Sequence, residues 1–278
     1  MTFIGNYSMS EYSNNQERRS IATQVVDGLQ SVIGTERSET ADARLGLALC
    51  FIAGAVNAGG FLAVGQYTSH MSGVISALAD NLALGAVHLM LNGLGAAIAF
   101  ILGAACSAFL IHWGRRHRAY GQYAFPLVVE AILLLAFGLV GSLYSHRAFF
   151  VPVAIPLLCF IMGLQNAIIT KISQARIRTT HLTGMITDLG IELGKLFYWN
   201  RTMTVPTGRV VADRAKLSLL CSLLGAFFTG GLAGAYGFHF IGFAAVLPLA
   251  VLLLILAGVP LALGRGKIID HEQRTKNS

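Results

Sequence analysis

The sequence predicts an all-α fold: a polytopic membrane helix bundle of six spans, arranged as a 3+3 inverted-topology repeat, with two additional polar helices that are re-entrant or interfacial. Three observations carry this reading: long runs without charge, a lopsided placement of lysine and arginine, and an internal repeat.

Of 278 residues, 55% are hydrophobic and 12% are charged, about half the charged fraction of ordinary soluble domains. No Asp, Glu, Lys or Arg occurs from Leu45 to Ala79, from Asn81 to Gly114, or from Leu217 to Gly264. Since about 20 apolar residues cross a bilayer core as a helix, the last run alone holds two spans. The runs are continuously apolar rather than alternating, which argues against a β-barrel. The 31 glycines suit membrane helices, where small residues let backbones approach closely. The net charge of +7 reads as basic loops on the cytoplasmic side and not as a nucleic-acid surface.

In chain order, residues 1–43 are polar, carry both signs of charge and have no apolar core; they are expected to be a disordered cytoplasmic tail and not a cleavable signal peptide. Spans are expected at 45–65, 90–113 and 124–145 in a first membrane repeat (44–148), and at 149–170, 217–236 and 240–263 in a second (149–264). The turn between the last two spans is expected at Gly234 to His239, and residues 265–278 form a cytoplasmic C-terminal tail. Segments 68–88 and 179–198 are helix-like but richer in Gly, Ser and Thr. If they do not cross, nineteen of the twenty basic residues lie on the cytoplasmic face and Arg147 alone lies outside; if both cross, the division becomes 14 against 6. The positive-inside rule selects six spans, with both termini cytoplasmic. Cys50, Cys106, Cys159 and Cys221 sit inside apolar runs without CxxC spacing and read as buried, inert thiols.

The repeat is visible as Leu49-Cys-Phe-Ile-Ala-Gly-Ala-Val-Asn-Ala58 against Leu158-Cys-Phe-Ile-Met-Gly-Leu-Gln-Asn-Ala167, identical at seven of ten positions. Thr68-Ser-His-Met-Ser-Gly73 then matches Thr179-Thr-His-Leu-Thr-Gly184, and Leu102-Gly-Ala104 recurs more weakly as Leu224-Gly-Ala226. Three spans per half is an odd number, so the second copy enters the membrane from the opposite face. In transporters, such repeats place a substrate site at the repeat interface near the midplane.

The candidate site residues follow from the repeat. His70 and His181, each preceded by hydroxyl residues (Thr68, Thr179) and followed by a glycine (Gly73, Gly184), suit an N-cap whose helix start and imidazole could meet an anion or relay a proton. They are expected to project into the bundle; the alternative is a capping role that duplication preserved. In the second copy His181, Asp188, Glu192 and Lys195 fall on one helical stripe, either a functional set or an ordinary ion pair on a wet interfacial helix. The first copy offers only Asp80 and Asn81. Asn57 and Asn166 occupy matched positions, with Gln165 beside the second, and read as interhelical hydrogen-bonding groups or the lining of a polar path. Glu130, one to two turns into the third span, is expected to snorkel to the cytoplasmic interface. There is no HExxH, Walker A lysine, GxSxG or zinc-spaced Cys/His set, so no catalytic residue, metal or cofactor is expected.

At Gly60-Phe-Leu-Ala-Val-Gly-Gln-Tyr-Thr-Ser-His-Met-Ser-Gly73, and at Gly163-Leu-Gln-Asn-Ala167 through Thr179-Thr-His-Leu-Thr-Gly-Met-Ile-Thr-Asp-Leu-Gly-Ile-Glu-Leu-Gly194, the chain resembles the YoaK-like family of bacterial membrane proteins. The likeness covers roughly residues 44 to 264. It implies a multi-pass protein of the bacterial inner membrane and assigns no activity or ligand residues.

The expected function is a secondary transporter or permease for a small polar solute or anion, proton-linked, in contact with the lipid bilayer. A homo-oligomer is left open and nucleic acid is not a partner. The alternatives are an integral-membrane enzyme acting on a lipid or quinone, and a membrane scaffold or sensor. On the basic asymmetry, single cysteines near Tyr67, Arg147 and Gly237 should react with an impermeant thiol reagent from outside, and cysteines near Arg116, Thr207 and Lys267 should not. External labelling near Arg116 would overturn the six-span topology.

Overall fold

A computed structural model describes residues 39–116, 123–172, 182–198 and 211–258, and every regular element among them is helical. In chain order these are α1 (Glu39–Val64), α2 (Met71–Ala83), α3 (Val87–Arg116), α4 (Ala124–Tyr144), α5 (Phe150–Ile172), α6 (Leu182–Phe197) and α7 (Arg214–Ile241). A 3-10 turn at Gly242–Ala245 then leads into α8, described over 246–258. Helix α1 begins at Glu39, so residues 39–43 are helical rather than part of the polar tail. The rest of that tail and residues 265–278 lie outside the described residues.

Five stretches are long and apolar enough to cross a membrane: Ala43–Val64, Val87–Arg116, Ala124–Tyr144, Phe150–Lys171 and Arg214–Gly258. The last, at 45 residues, would be about 67 Å long as one helix, against a hydrocarbon core of about 30 Å. It is broken at Gly242, whose φ of 58° lies in the left-handed region that glycine enters without steric cost. The expected turn at Gly234 to His239 is therefore corrected: those residues continue α7, and the break comes later. Gly234 cannot serve as a turn because it is used for packing; a Cβ there would fall on the carbonyl of Ala55 in α1. Helices α2 and α6, at 13 and 16 residues, rise only about 20 and 24 Å and are not among the candidate spans.

The spanning helices bury one stripe and expose Leu, Ile and Phe on the rest, as a lipid-facing surface does. In α4, Leu127, Glu130, Ala131, Leu134, Phe137, Gly138 and Gly141 form the buried stripe, with the i, i+3, i+4 spacing of one helix face. Cys50 and Cys159 are buried as expected, whereas Cys106 is half-buried and Cys221 is exposed on α7.

The two most extensive helix contacts are α1 on α7 and α3 on α5. Both are made in the same way. A Cβ at Gly54 would fall on the carbonyl oxygen of Phe227, and one at Gly230 on that of Phe51; likewise Gly103 meets the carbonyl of Phe160, and Gly163 that of Phe100. All four pairs come from one tetrapeptide pattern: Phe51-Ile-Ala-Gly54, Phe100-Ile-Leu-Gly103, Phe160-Ile-Met-Gly163 and Phe227-Phe-Thr-Gly230. This revises the weak end of the sequence repeat. Gly225, matched to Gly103 by Leu-Gly-Ala, has nothing within 4 Å, whereas Gly230 makes the same kind of carbonyl contact as Gly103.

Helix directions follow from the contacts. Ala55 meets Gly234 and Gly59 meets Phe238, so α1 and α7 run parallel. Gln165 Nε2 donates to the Leu49 carbonyl at 3.4 Å, while Gly60 faces Leu158; α1 and α5 therefore run in opposite directions where they touch. Trp113 meets Phe125 edge-on at 5.2 Å, which makes α3 and α4 an antiparallel pair.

A methyl group at Gly103 or Gly230 has no room between two backbones. Gly103→Ala and Gly230→Ala should each destabilise the protein by about 1–3 kcal/mol, while Gly225→Ala should stay within about 0.5 kcal/mol of the parent. Reversible unfolding in mixed micelles measures the difference. Equal effects at all three positions would refute the close-approach geometry.

Candidate functional site

The chain leaves α1 through Gly65, whose φ is 76° and whose N–H donates to the Phe61 carbonyl at 2.8 Å. Tyr67 then stacks on Phe61 at 4.6 Å. Asn57 holds the segment that follows: its Oδ1 accepts from the Ser69 hydroxyl at 2.9 Å and from the Ser69 N–H at 3.4 Å. Thr68 is buried, and its Oγ1 has no hydrogen-bond partner among the described residues. The hydroxyl of Ser69 is thus engaged by α1, and neither it nor Thr68 caps α2.

His70 occupies the N-cap of α2 without a side-chain capping bond. It is exposed rather than packed inside the bundle as expected, because its ring folds over Gly73, where a Cβ would collide with Cδ2 and lie 2.8 Å from Nε2. Gly73 is therefore a close-approach position, as the sequence suggested. Asp80 is exposed on α2.

In the second copy, Thr179 and His181 lie outside the described residues. Gly184, near the start of α6, is half-buried. Asn166 is half-buried, with its carbonyl accepting from Thr170 Oγ1 at 2.7 Å. The acidic stripe of α6 is engaged by α7. Glu192, 2% exposed, accepts from Lys195 Nζ at 3.0 Å and from the Asp213 N–H at 3.0 Å. Lys216 Nζ lies 3.7 Å from Glu192 and 3.6 Å from Asp188, whose side chain is 49% exposed. Asp213 in turn caps α7, accepting from the Lys216 N–H at 3.0 Å. Of the two readings of this stripe, the ion-pair reading describes Glu192 and Lys195, and the set additionally ties α6 to the start of α7.

Glu130 was undervalued by the sequence. It does not snorkel: it lies on the buried face of α4 with 0% exposure, and neither carboxylate oxygen has a hydrogen-bond partner among the described residues. Its spacing from Leu127, Ala131 and Leu134 placed it on the apolar stripe and was the available signal. Among the described residues no group of three or more His, Cys, Asp or Glu could hold a metal ion.

The family model described as "Protein of unknown function (DUF1275)" matches residues 45–259. The chain is also 29% identical over 196 residues to the UPF0700 transmembrane protein YoaK of Bacillus subtilis (strain 168), a match that covers 69% of this chain and 84% of that protein. No solved structure matches.

The Asp213 N–H, then the Lys195 ammonium, hold Glu192 below the usual carboxylate range, against a weaker opposing effect of its covering by neighbours. A folded-state value below that of the unfolded chain means the stabilisation is fully present above about pH 4.3 and is lost as pH falls through the folded value. Acidification below that point should loosen α6 from α7, lowering Tm in detergent. Glu192→Gln should reduce this dependence, and an unchanged acid profile in that variant would assign the loss to other groups.

Proposed function

The chain belongs to the family described as "Protein of unknown function (DUF1275)" and is an integral, multi-pass membrane protein, and on that premise we propose that it is a secondary transporter or permease. Its substrate on this reading is a small polar solute or anion moved in a proton-linked manner across a bacterial inner membrane. Six spans form a 3+3 inverted repeat, with Arg214–Gly258 read as two spans separated at Gly242, and with both termini in the cytoplasm.

The observation that carries the reading is the exchange of partners between halves. Helix α1 of the first half packs on α7 of the second, and α5 of the second packs on α3 of the first, through the same Phe-x-x-Gly contacts. A pseudo-two-fold operation that turns α1 into α5 and α3 into α7 converts one pair into the other. The opposed directions of α1 and α5 at their contact favour an axis in the membrane plane. Repeat interfaces of this kind, flanked by short interrupted segments, are where carriers bind solutes. Among the described residues the short helices α2, which follows His70, and α6 stand in that place. Fold alone does not fix function, so the reading rests on this interface together with these two helices.

A second reading has an observation of its own: the contacts of Glu192 with Lys195, Lys216 and the Asp213 N–H favour a purely architectural role for the α6 stripe. The two are separated by Asp188, which is half-exposed and, among the described residues, pairs with Lys216.

In proteoliposomes screened for uptake of small anions and amines under an imposed pH gradient, His181→Gln and Asp188→Asn should lose or pH-shift uptake at normal abundance and Tm. His70→Gln and Asp80→Asn should change it less. Equal loss of abundance and uptake would make the pair structural, and product formation without gradient dependence would favour an enzyme.

A further inference from the structure

We propose that Glu130, Ser107 and Gln165 form a buried site for one monovalent cation, a proton or an alkali-metal ion, in the core of the bundle. The three residues come from α4, α3 and α5. Each is 0% exposed, and each keeps at least one oxygen with no hydrogen-bond partner: both carboxylate oxygens of Glu130, Oγ of Ser107 and Oε1 of Gln165. The Gln165 amide nitrogen is committed to the Leu49 carbonyl at 3.4 Å, which leaves its oxygen as the unpartnered end.

Two helix registers bring them to one depth. Trp113 meets Phe125 and Arg115 reaches the Tyr123 hydroxyl at 3.5 Å. Five residues inward from Trp113 and Phe125 these helices bring Ala108, beside Ser107, level with Glu130. Gly103 meets the Phe160 carbonyl and, at 3.0 Å from its Cβ position, the Leu164 nitrogen. One turn further along these parallel helices, Ser107 is level with residues 164–168.

The chemistry selects a positive charge. A lone ionised carboxylate in a water-poor interior is costly unless it is neutralised or paired, and among the described residues neither oxygen of this one has a hydrogen-bond partner. Helix α4 carries Tyr123 at its start, and α3 carries Cys106 next to Ser107, then His112, Arg115 and Arg116 toward its end. Helix α5 carries Cys159 and Lys171, α1 carries Cys50 beside Leu49, and residues 242–258 have no titratable side chain. Carboxylate, amide and hydroxyl oxygens are hard donors suited to an alkali ion or a hydron and not to soft metals. One carboxylate charge matches one monovalent cation. The proposal does not rest on the transport reading.

The test is Tm of the full-length protein in detergent, at constant ionic strength, in sodium, potassium, lithium or choline chloride and across pH 5 to 9. A ligand bound only by the folded state raises Tm by mass action. A rise of several degrees with one alkali cation over choline, absent in Glu130→Gln, identifies a metal-ion site. A Tm that falls with rising pH in all four salts, and is flat in Glu130→Gln, identifies a proton site. Ser107→Ala and Gln165→Leu should shift the midpoint of the response several-fold, and they carry the test if Glu130→Gln does not fold. Wild-type Tm independent of both cation and pH, or a response unchanged in these variants, would overturn the proposal.

Discussion

Backbone-to-backbone contact between helices is the constraint on which the architecture depends. Where a glycine faces a carbonyl oxygen of a neighbouring helix, as Gly54 faces Phe227 and Gly103 faces Phe160, no side chain separates the two. Lipid tails are as apolar as leucine, so burial gives helices little reason to associate in a bilayer; close packing and short polar contacts must do it. Reciprocal approach at four points sets the axial register of α1 against α7 and of α3 against α5. Once those registers are set, the depths of Asn57, Ser107 and Gln165 follow from helical rise alone.

Two kinds of polar interaction sit on this frame and behave differently. At the α6–α7 junction, acid and base meet beside backbone N–H groups: Glu192 with Lys195, Lys216 and Asp213. Donors and acceptors there are matched, and the assembly fastens one helix to the next. In the core, Ser107, Glu130 and Gln165 leave acceptors without donors. A buried acceptor excess costs stability, so these two groups place opposite demands on the fold.

Much of the fold was legible. Apolar stretches located the spanning parts of α1, α3, α4 and α5 to within a few residues, because hydropathy is set residue by residue and needs no tertiary knowledge. Phe51 and Phe160, and Gly54 and Gly163, which the match of Leu49–Ala58 to Leu158–Ala167 aligns, make the same kind of backbone contact with a neighbouring helix. The later register was missed because Leu-Gly-Ala is common in membrane helices. The informative pattern there was two residues of fixed type, Phe and Gly, separated by variable ones. The turn at Gly242 was misplaced because Gly234 and Gly237 are equally permissive locally; only the approach of α1 reveals that Gly234 is occupied in packing. The orientation of His70 could not be read from its hexapeptide, since Gly73 accommodates the ring on the helix's own surface. Glu130 was misjudged because distance from a span's end says nothing about which face a residue occupies.

The partner exchange between halves has a consequence for biogenesis. Gly103 and Phe160 are 57 residues apart, but Phe51 and Gly230 are separated by 179 residues. At about 5–20 residues per second of synthesis, α1 waits roughly 10–35 s after its own emergence before its partner exists. Throughout that interval its glycine-lined face is exposed to lipid or to the insertion machinery. The α3–α4–α5 unit can already be assembled in that time, before α7 arrives to pair with α1.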